Sequence, residues 1–236
     1  MSIVDFAGIE VDNITLEGAV SKVKEFVASG KPHLIVTPNP EIIVASQKYP
    51  ELKEIINSAD LRVPDGISMV VVSRMLKNPL KERVSGIDLM LQICKETNFK
   101  IYLLGGEPGV AVEAAGKLTK KCPGLNVVGN TDGYFIDDQK VIKGIRDTKP
   151  DILFVGLGAG RQERWIKKHL QGLNVPVCMV IGGSLDVISG RKKRAPKWTR
   201  KLYIEWLYRL VSEPKRWKRQ LALPKFLYLT LFKKVV

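Results

Sequence analysis

Residues 151–160 read DILFVGLGAG, an apolar run that ends in a string of glycines and is followed from Arg161 by the helical pattern RQERWIKKHL. A run that is apolar at successive positions suits a strand buried on both faces, and the glycines mark its handover to a helix. The same pattern recurs at 33–40 (HLIVTPNP), 100–109 (KIYLLGGEPG), 126–135 (NVVGNTDGYF) and 176–183 (PVCMVIGG). Helical periodicity fits the stretches 17–28, 67–77, 87–97, 110–121 and 161–170. This alternation predicts an α/β fold: a Rossmann-like, mainly parallel sheet with helices on both faces. In such sheets ligands collect at the carboxyl ends of the strands, where these glycine turns lie.

Two of the turns, Gly105-Gly106-Glu107-Pro108-Gly109 and Gly156-Leu157-Gly158-Ala159-Gly160, stand between a strand and a helix, where backbone N–H groups and a helix N-terminus hold phosphate. The second is G-x-G-x-G rather than the dinucleotide pattern G-x-G-x-x-G, and no Walker lysine-serine pair follows either turn. A single glycine turn also serves merely to end a strand. Three in one sheet, the third at Gly182-Gly183-Ser184, favour a phosphorylated ligand. Polar groups gather at other strand ends: Thr37-Pro38-Asn39-Pro40-Glu41 after one strand and Val63-Pro64-Asp65-Gly66 after another. Asp65 has two readings, a cap for the helix beginning near Ile67 or a carboxylate presented to a ligand. Arg83 to Asp88 and Arg161 to Trp165 place further charge at helix starts, where each charged residue also fits a solvated face.

The 236 residues, 45% hydrophobic and 26% charged, are enough for one large core and exclude a disordered or disulfide-stapled chain. Cys94, Cys122 and Cys178 are odd in number and widely spaced, and with His33 and His169 they form no metal-ligand pattern. No metal and no cofactor is expected, and a reducing compartment fits best. The acidic N-terminus (MSIVDFAGIEVD) is unlike a signal peptide, and no run approaches the roughly 20 apolar residues that span a bilayer.

The net charge of +14 is unevenly placed. Residues 191–236 hold 15 Lys and Arg against Glu205 and Glu213, a net of +13, together with Trp198, Trp206 and Trp217. The expected organisation is therefore a near-neutral body, 1–190, and a basic, aromatic helical appendage, 191–236. Trp198, Leu202, Trp206 and Leu210 recur every four residues, and Pro214 and Pro224 divide the appendage. Its last segment, Phe226 to Phe232 (FLYLTLF), lies between cations, with Phe226 and Phe232 expected on an exposed, lipid-facing surface. An interfacial helix needs this combination of Trp, Phe and Leu with Lys and Arg at an anionic membrane. Packing on the body, a homo-oligomer contact and nucleic-acid binding are the competing uses.

Seven stretches in order carry a family resemblance: TPNPE (37–41), VPDG (63–66), RVSG-D (83–88), LLGG-PG (103–109), VGLGAGRQE (155–163), GGSLDVISGRKKRAPKW (182–198) and EWLYRLVSEPKRWKR (205–219). Together they resemble the WecG/TagA/CpsF glycosyltransferases over nearly the whole chain. The resemblance implies inverting transfer of N-acetylmannosamine (ManNAc) from UDP-ManNAc to GlcNAc-diphospho-undecaprenol, with a β-1,4 linkage, in wall teichoic acid linkage-unit synthesis. Relatives use other UDP-sugars, including the uronic acid form. The implied location is cytoplasmic, at the inner face of the cell membrane.

Within that resemblance Asp65 matches the proposed base, and Thr37, Asn39 and Gln162 match polar residues of the same pocket. UDP is expected against Gly105, Gly106, Pro108, Gly156, Leu157, Gly158 and Gly183, with Asp186 at the ribose, Tyr134 beside the base, and Arg83 near by. No D-x-D pair occurs to hold Mn²⁺ or Mg²⁺ on the diphosphate. Some other cation must neutralise the leaving group, and Arg209, Arg216 and Arg219, spaced to share nearly one helical face, are candidates. Two other classes remain open: a nucleic-acid-binding protein with a basic clamp, and a sugar-nucleotide-binding regulator without catalysis.

Overall fold

The computed structural model describes residues 1–196 and 221–232, together with Thr199, Tyr208, Leu210 and Trp217. The chain opens with a hairpin, β1 (Ile3–Phe6) and β2 (Ile9–Asp12), closed by Ala7 and Gly8 at φ 56° and 82°. There follow α1 (Leu16–Ser29), β3 (His33–Val36), α2 (Pro40–Ser46), α3 (Pro50–Asn57), β4 (Leu61–Arg62), α4 (Ile67–Met75) and α5 (Gly86–Glu96). Then come β5 (Lys100–Gly105), α6 (Val110–Lys121), β6 (Asn126–Thr131), α7 (Asp138–Thr148), β7 (Ile152–Gly156), α8 (Arg161–Leu173), β8 (Val177–Val180) and α9 (Ser184–Ile188). The last described helix, α10, spans Ala222–Leu231.

Six strands form one sheet in the order β4-β3-β8-β7-β5-β6, with every pairing parallel. The expected Rossmann-like parallel sheet is thus present. Its central strands are apolar throughout because both faces are covered. Ile152 and Phe154 of β7 enter one core with α1, α5 and α6; Leu153 and Val155 enter the other, with α3, α7, α8 and the N-terminal hairpin.

Two expectations are corrected. Phe226 is not on an exposed surface: it is fully buried, its ring 5.8 Å from Phe6, and α10 packs against α2 and α4. The helix also begins before Pro224, which sits in its first turn, where the missing N–H costs no intrahelical bond. Phe232 is exposed, as expected, and stacks with exposed Tyr228 at 6.2 Å. The second correction concerns Asp65. The residue preceding α4 is Gly66, at φ 134°, and no side chain caps that helix. The capping role for Asp65 is not realised. Trp198, Leu202 and Trp206 of the apolar stripe lie outside the described residues.

Candidate active site

The connections leaving neighbouring strands separate around β8. After β3 and β7 the chain passes through α2 and α8 on one face of the sheet, whereas after β8 it enters α9 on the other. Such a divergence leaves a crevice at the carboxyl ends of the strands. A cavity of about 370 Å³ opens there, lined from β3 by Thr37 and Asn39, from β4 by Asp65, from β7 and α8 by Gly156, Gly158 and Gln162, and from β8 and α9 by Gly183 and Asp186.

Each wall has a local cause. Asn39 caps α2, its Oδ1 accepting from the Ile42 N–H at 3.1 Å, and Pro40 follows at the first helical position. Asp65 is carried on backbone fixed by its neighbours: its N–H donates to Pro38 O at 2.9 Å, and the Val84 N–H donates to Pro64 O at 2.9 Å. This second bond brings Arg83 to the cavity, with Nη2 3.7 Å from Asp65 Oδ1. The base candidate and a guanidinium therefore share one wall.

Across from them the glycines do two different jobs. A Cβ on Gly105 would stand 2.2 Å from Gly156 O, so β5 and β7 approach at their ends only because Gly105 has no side chain. Gly158 is different: a Cβ there would meet nothing within 4 Å, and its φ of 90° sets the turn that opens the N-terminus of α8 onto the cavity. Gln162 is buried, and its amide bridges two turns. Oε1 accepts from the Gly182 N–H at 3.1 Å, and Nε2 donates to Glu163 Oε1 at 2.9 Å.

The site residues expected from sequence thus divide. Thr37, Asn39, Asp65, Arg83, Gly156, Gly158, Gln162, Gly183 and Asp186 meet at one cavity. Gly105, Gly106, Pro108, Tyr134 and Leu157 stand outside its lining, on the adjoining rim formed by the turns after β5, β6 and β7. There the Gly133 N–H donates to Gly106 O at 2.8 Å, and Tyr134 is exposed. Arg209, Arg216 and Arg219 lie outside the described residues.

Several lining residues had no individual role assigned from sequence. Glu163 is buried, and desolvation raises its carboxyl above the ordinary value although the Gln162 amide and the Gly160 N–H, at 2.6 Å from Oε2, act the other way. Its place at the third position of α8, after a glycine, is the sequence signal for this back-bond to the helix start. Lys192, Lys193 and Arg194 also line the cavity. Lys192 Nζ lies 3.0 Å from Asp186 Oδ2, and Arg194 pairs with Asp88, which also accepts from Ser85 Oγ at 2.6 Å. Just before them Arg191 grips Glu113 at 2.8 and 3.1 Å and donates to Pro108 O at 3.1 Å. That pairing holds the Glu113 carboxyl below its ordinary value. The basic run RKKR, directly after α9 and Ser189-Gly190, was the available signal.

The histidines belong elsewhere. His33 pairs with Asp60 at 3.0 Å, and His169 with Asp138 at 3.1 Å. Burial pushes the thiols of Cys94 and Cys178 up to about 12. Among the described residues no group of three or more His, Cys, Asp or Glu is placed to hold a metal ion.

Fold and cavity define a Rossmann-like α/β protein whose polar, charged site lies at a divergence of strand connections. Comparison with known sequences narrows this. The profile of the Glycosyl transferase WecG/TagA/CpsF family matches residues 4–236, and the chain belongs to that family. The N-acetylglucosaminyldiphosphoundecaprenol N-acetyl-beta-D-mannosaminyltransferases of Staphylococcus aureus strains MW2, NCTC 8325 and MRSA252 are each 38% identical to it over 230 residues. Those alignments cover 95% of this chain and 91% of each relative. The resemblance carried by the seven motifs is borne out.

Proposed function

We propose that the protein transfers ManNAc from UDP-ManNAc to the GlcNAc hydroxyl of GlcNAc-diphospho-undecaprenol, forming a β-1,4 linkage with inversion. The observation that carries this reading is the convergence of Asp65, Arg83, Thr37, Asn39 and Gln162 on one cavity beside the Gly158 turn, in a chain 38% identical to transferases named for this reaction. Nothing in the family assignment supports the nucleic-acid alternative.

In the proposed step the Asp65 carboxylate takes the proton of the acceptor hydroxyl as its oxygen forms a bond to the anomeric carbon. The bond from that carbon to the diphosphate breaks on the opposite face, and its electron pair leaves with UDP. Thr37, Asn39 and Gln162 line the space for the sugar, and Asp186 is placed for the ribose. Arg209, Arg216 and Arg219 of the appendage supply positive charge to the departing diphosphate. The appendage brings the enzyme to the anionic inner face of the membrane, where its lipid-linked acceptor resides. No described helix is long and apolar enough to cross a membrane.

The direct test is incubation with UDP-ManNAc or UDP-GlcNAc and a lipid-diphosphate-GlcNAc analogue, followed by product mass. A disaccharide formed from UDP-ManNAc alone is expected, and no product would defeat the reading. With neither a D-x-D pair in the sequence nor a ligand cluster among the described residues, turnover is expected to be unchanged in excess EDTA. Loss of activity in EDTA that Mg²⁺ or Mn²⁺ restores would show a metal on the diphosphate.

The Gly158 turn gives a second check. Gly158→Val places a β-branched residue at a φ of 90°, where L side chains are strained, and fills space open to the cavity. UDP affinity measured by calorimetry is expected to fall at least tenfold while circular dichroism stays that of the folded protein. Unchanged affinity would move UDP away from this turn.

A further inference from the structure

The segment Arg191–Arg194 is tied to the body at both ends. At one end the Arg191 guanidinium holds both oxygens of Glu113 and the carbonyl of Pro108. At the other, Arg194 pairs with Asp88, which Ser85 also holds. Between these anchors the Lys192 N–H donates to Asp186 O at 2.9 Å, and Lys192 Nζ is 3.0 Å from the Asp186 carboxylate. Four cations line the cavity: Arg83, Lys192, Lys193 and Arg194. Three are in ion pairs, with Asp65, Asp186 and Asp88. Of these four, Lys193 alone is in no ion pair with a described residue, and it is exposed at the cavity wall.

A lysine held by its neighbours on both sides, facing a cavity and balanced by no carboxylate, is arranged for an anion that arrives from solution. The opposite wall favours the same ligand: Gly158 and Ala159 lead into the N-terminus of the 13-residue helix α8, where backbone N–H groups and the helix dipole attract negative charge. We infer that residues 191–194 form a basic strap that presents Lys193 to the diphosphate of the bound sugar nucleotide, with Arg191 and Arg194 acting as anchors. This rests on the proposed transfer from a UDP-sugar and adds to it a diphosphate-binding residue in the part of the chain joined to the body. Charge on the leaving group is then met in part before the remainder of the appendage engages.

Calorimetry with UDP and with uridine, at fixed salt, tests the strap. For Lys193→Ala the expected result is a UDP affinity roughly tenfold weaker, the loss of one charge-assisted contact, and for Lys193→Glu a larger loss. Uridine affinity and melting temperature are expected to stay unchanged, because Lys193 is exposed and meets the diphosphate alone. Glu113→Gln, which releases the Arg191 anchor, should weaken UDP binding in the wild-type background and add nothing in Lys193→Ala, since both act through the same lysine. A purely structural role for Glu113 would give additive losses and overturn the anchoring. Wild-type protein that binds UDP with Lys193→Ala binding it equally well, or with uridine weakened by the same factor, would overturn the strap while leaving the transferase reading in place. Wild-type protein that binds no UDP would defeat both.

Discussion

Asp65→Asn is expected to lower the rate of transfer by about 10²- to 10⁴-fold, the usual contribution of a positioned general base, while leaving the fold and UDP binding in place. The fold is expected to tolerate it because the side chain does not cap α4, and the turn is held by backbone bonds from Asp65 to Pro38 and from Val84 to Pro64. Asparagine keeps the shape and removes the proton acceptor. Its neighbour Arg83 lies 3.7 Å away with both side chains partly exposed, so the weakened pair costs little. The measurement is a single-turnover rate with saturating UDP-ManNAc, alongside a melting curve and a UDP titration. Near-normal turnover would take the base role from Asp65 and leave Glu41, Glu163 and Asp186, the other carboxylates that line the cavity, as the groups to replace next.

The parallel sheet was legible because its central strands are apolar at successive positions, which only burial on both faces explains. The strand at 152–156 and the helix at 161–173 follow directly from DILFVGLGAG and RQERWIKKHL. The hairpin β1–β2 was not read: its turn is Ala7-Gly8, and Ala7 adopts a positive φ that nothing in its chemistry advertises. Helices α2 and α3 were not among the helical stretches expected from sequence; each opens with a proline, Pro40 and Pro50, in a first-turn position where proline is favoured.

At the site, the polar turns could be named from sequence because strand ends converge in this kind of sheet. What could not be read was which turns share a wall. That depends on strand order: β5 lies beyond β7 from β8, so Gly105, Gly106 and Pro108 fall on the rim while Gly156 and Gly183 face the cavity. Glu163 and Lys193 escaped for another reason. A buried carboxylate and an unpaired lysine are distinguished from solvated charges only by what surrounds them, and that is a property of the fold.

The final helix separates two effects that composition had joined. Phe226 and Phe232 look alike in FLYLTLF, six residues apart, yet the first is fully buried against Phe6 and the second is 75% exposed. Phe226→Ala is expected to lower the unfolding free energy by about 3–5 kcal/mol, since it removes a packed ring and leaves a cavity. In a chain of this size that lowers the melting temperature by roughly 6–20 °C. Phe232→Ser is expected to change stability by no more than about 0.5 kcal/mol, as for other surface positions. It should instead weaken sedimentation with anionic vesicles, because a large aromatic that enters the headgroup boundary contributes on the order of 1–3 kcal/mol, a factor of about 5 to 150 in partitioning. Phe226→Ala, assayed below its melting temperature, should bind vesicles as the wild type does. Should Phe226→Ala melt with the wild type, α10 does not dock on the hairpin and α2. Should Phe232→Ser sediment with vesicles undiminished, its exposed face with Tyr228 is not the lipid contact. The two measurements are independent because one side chain holds the helix to the body and the other is left on its outer face.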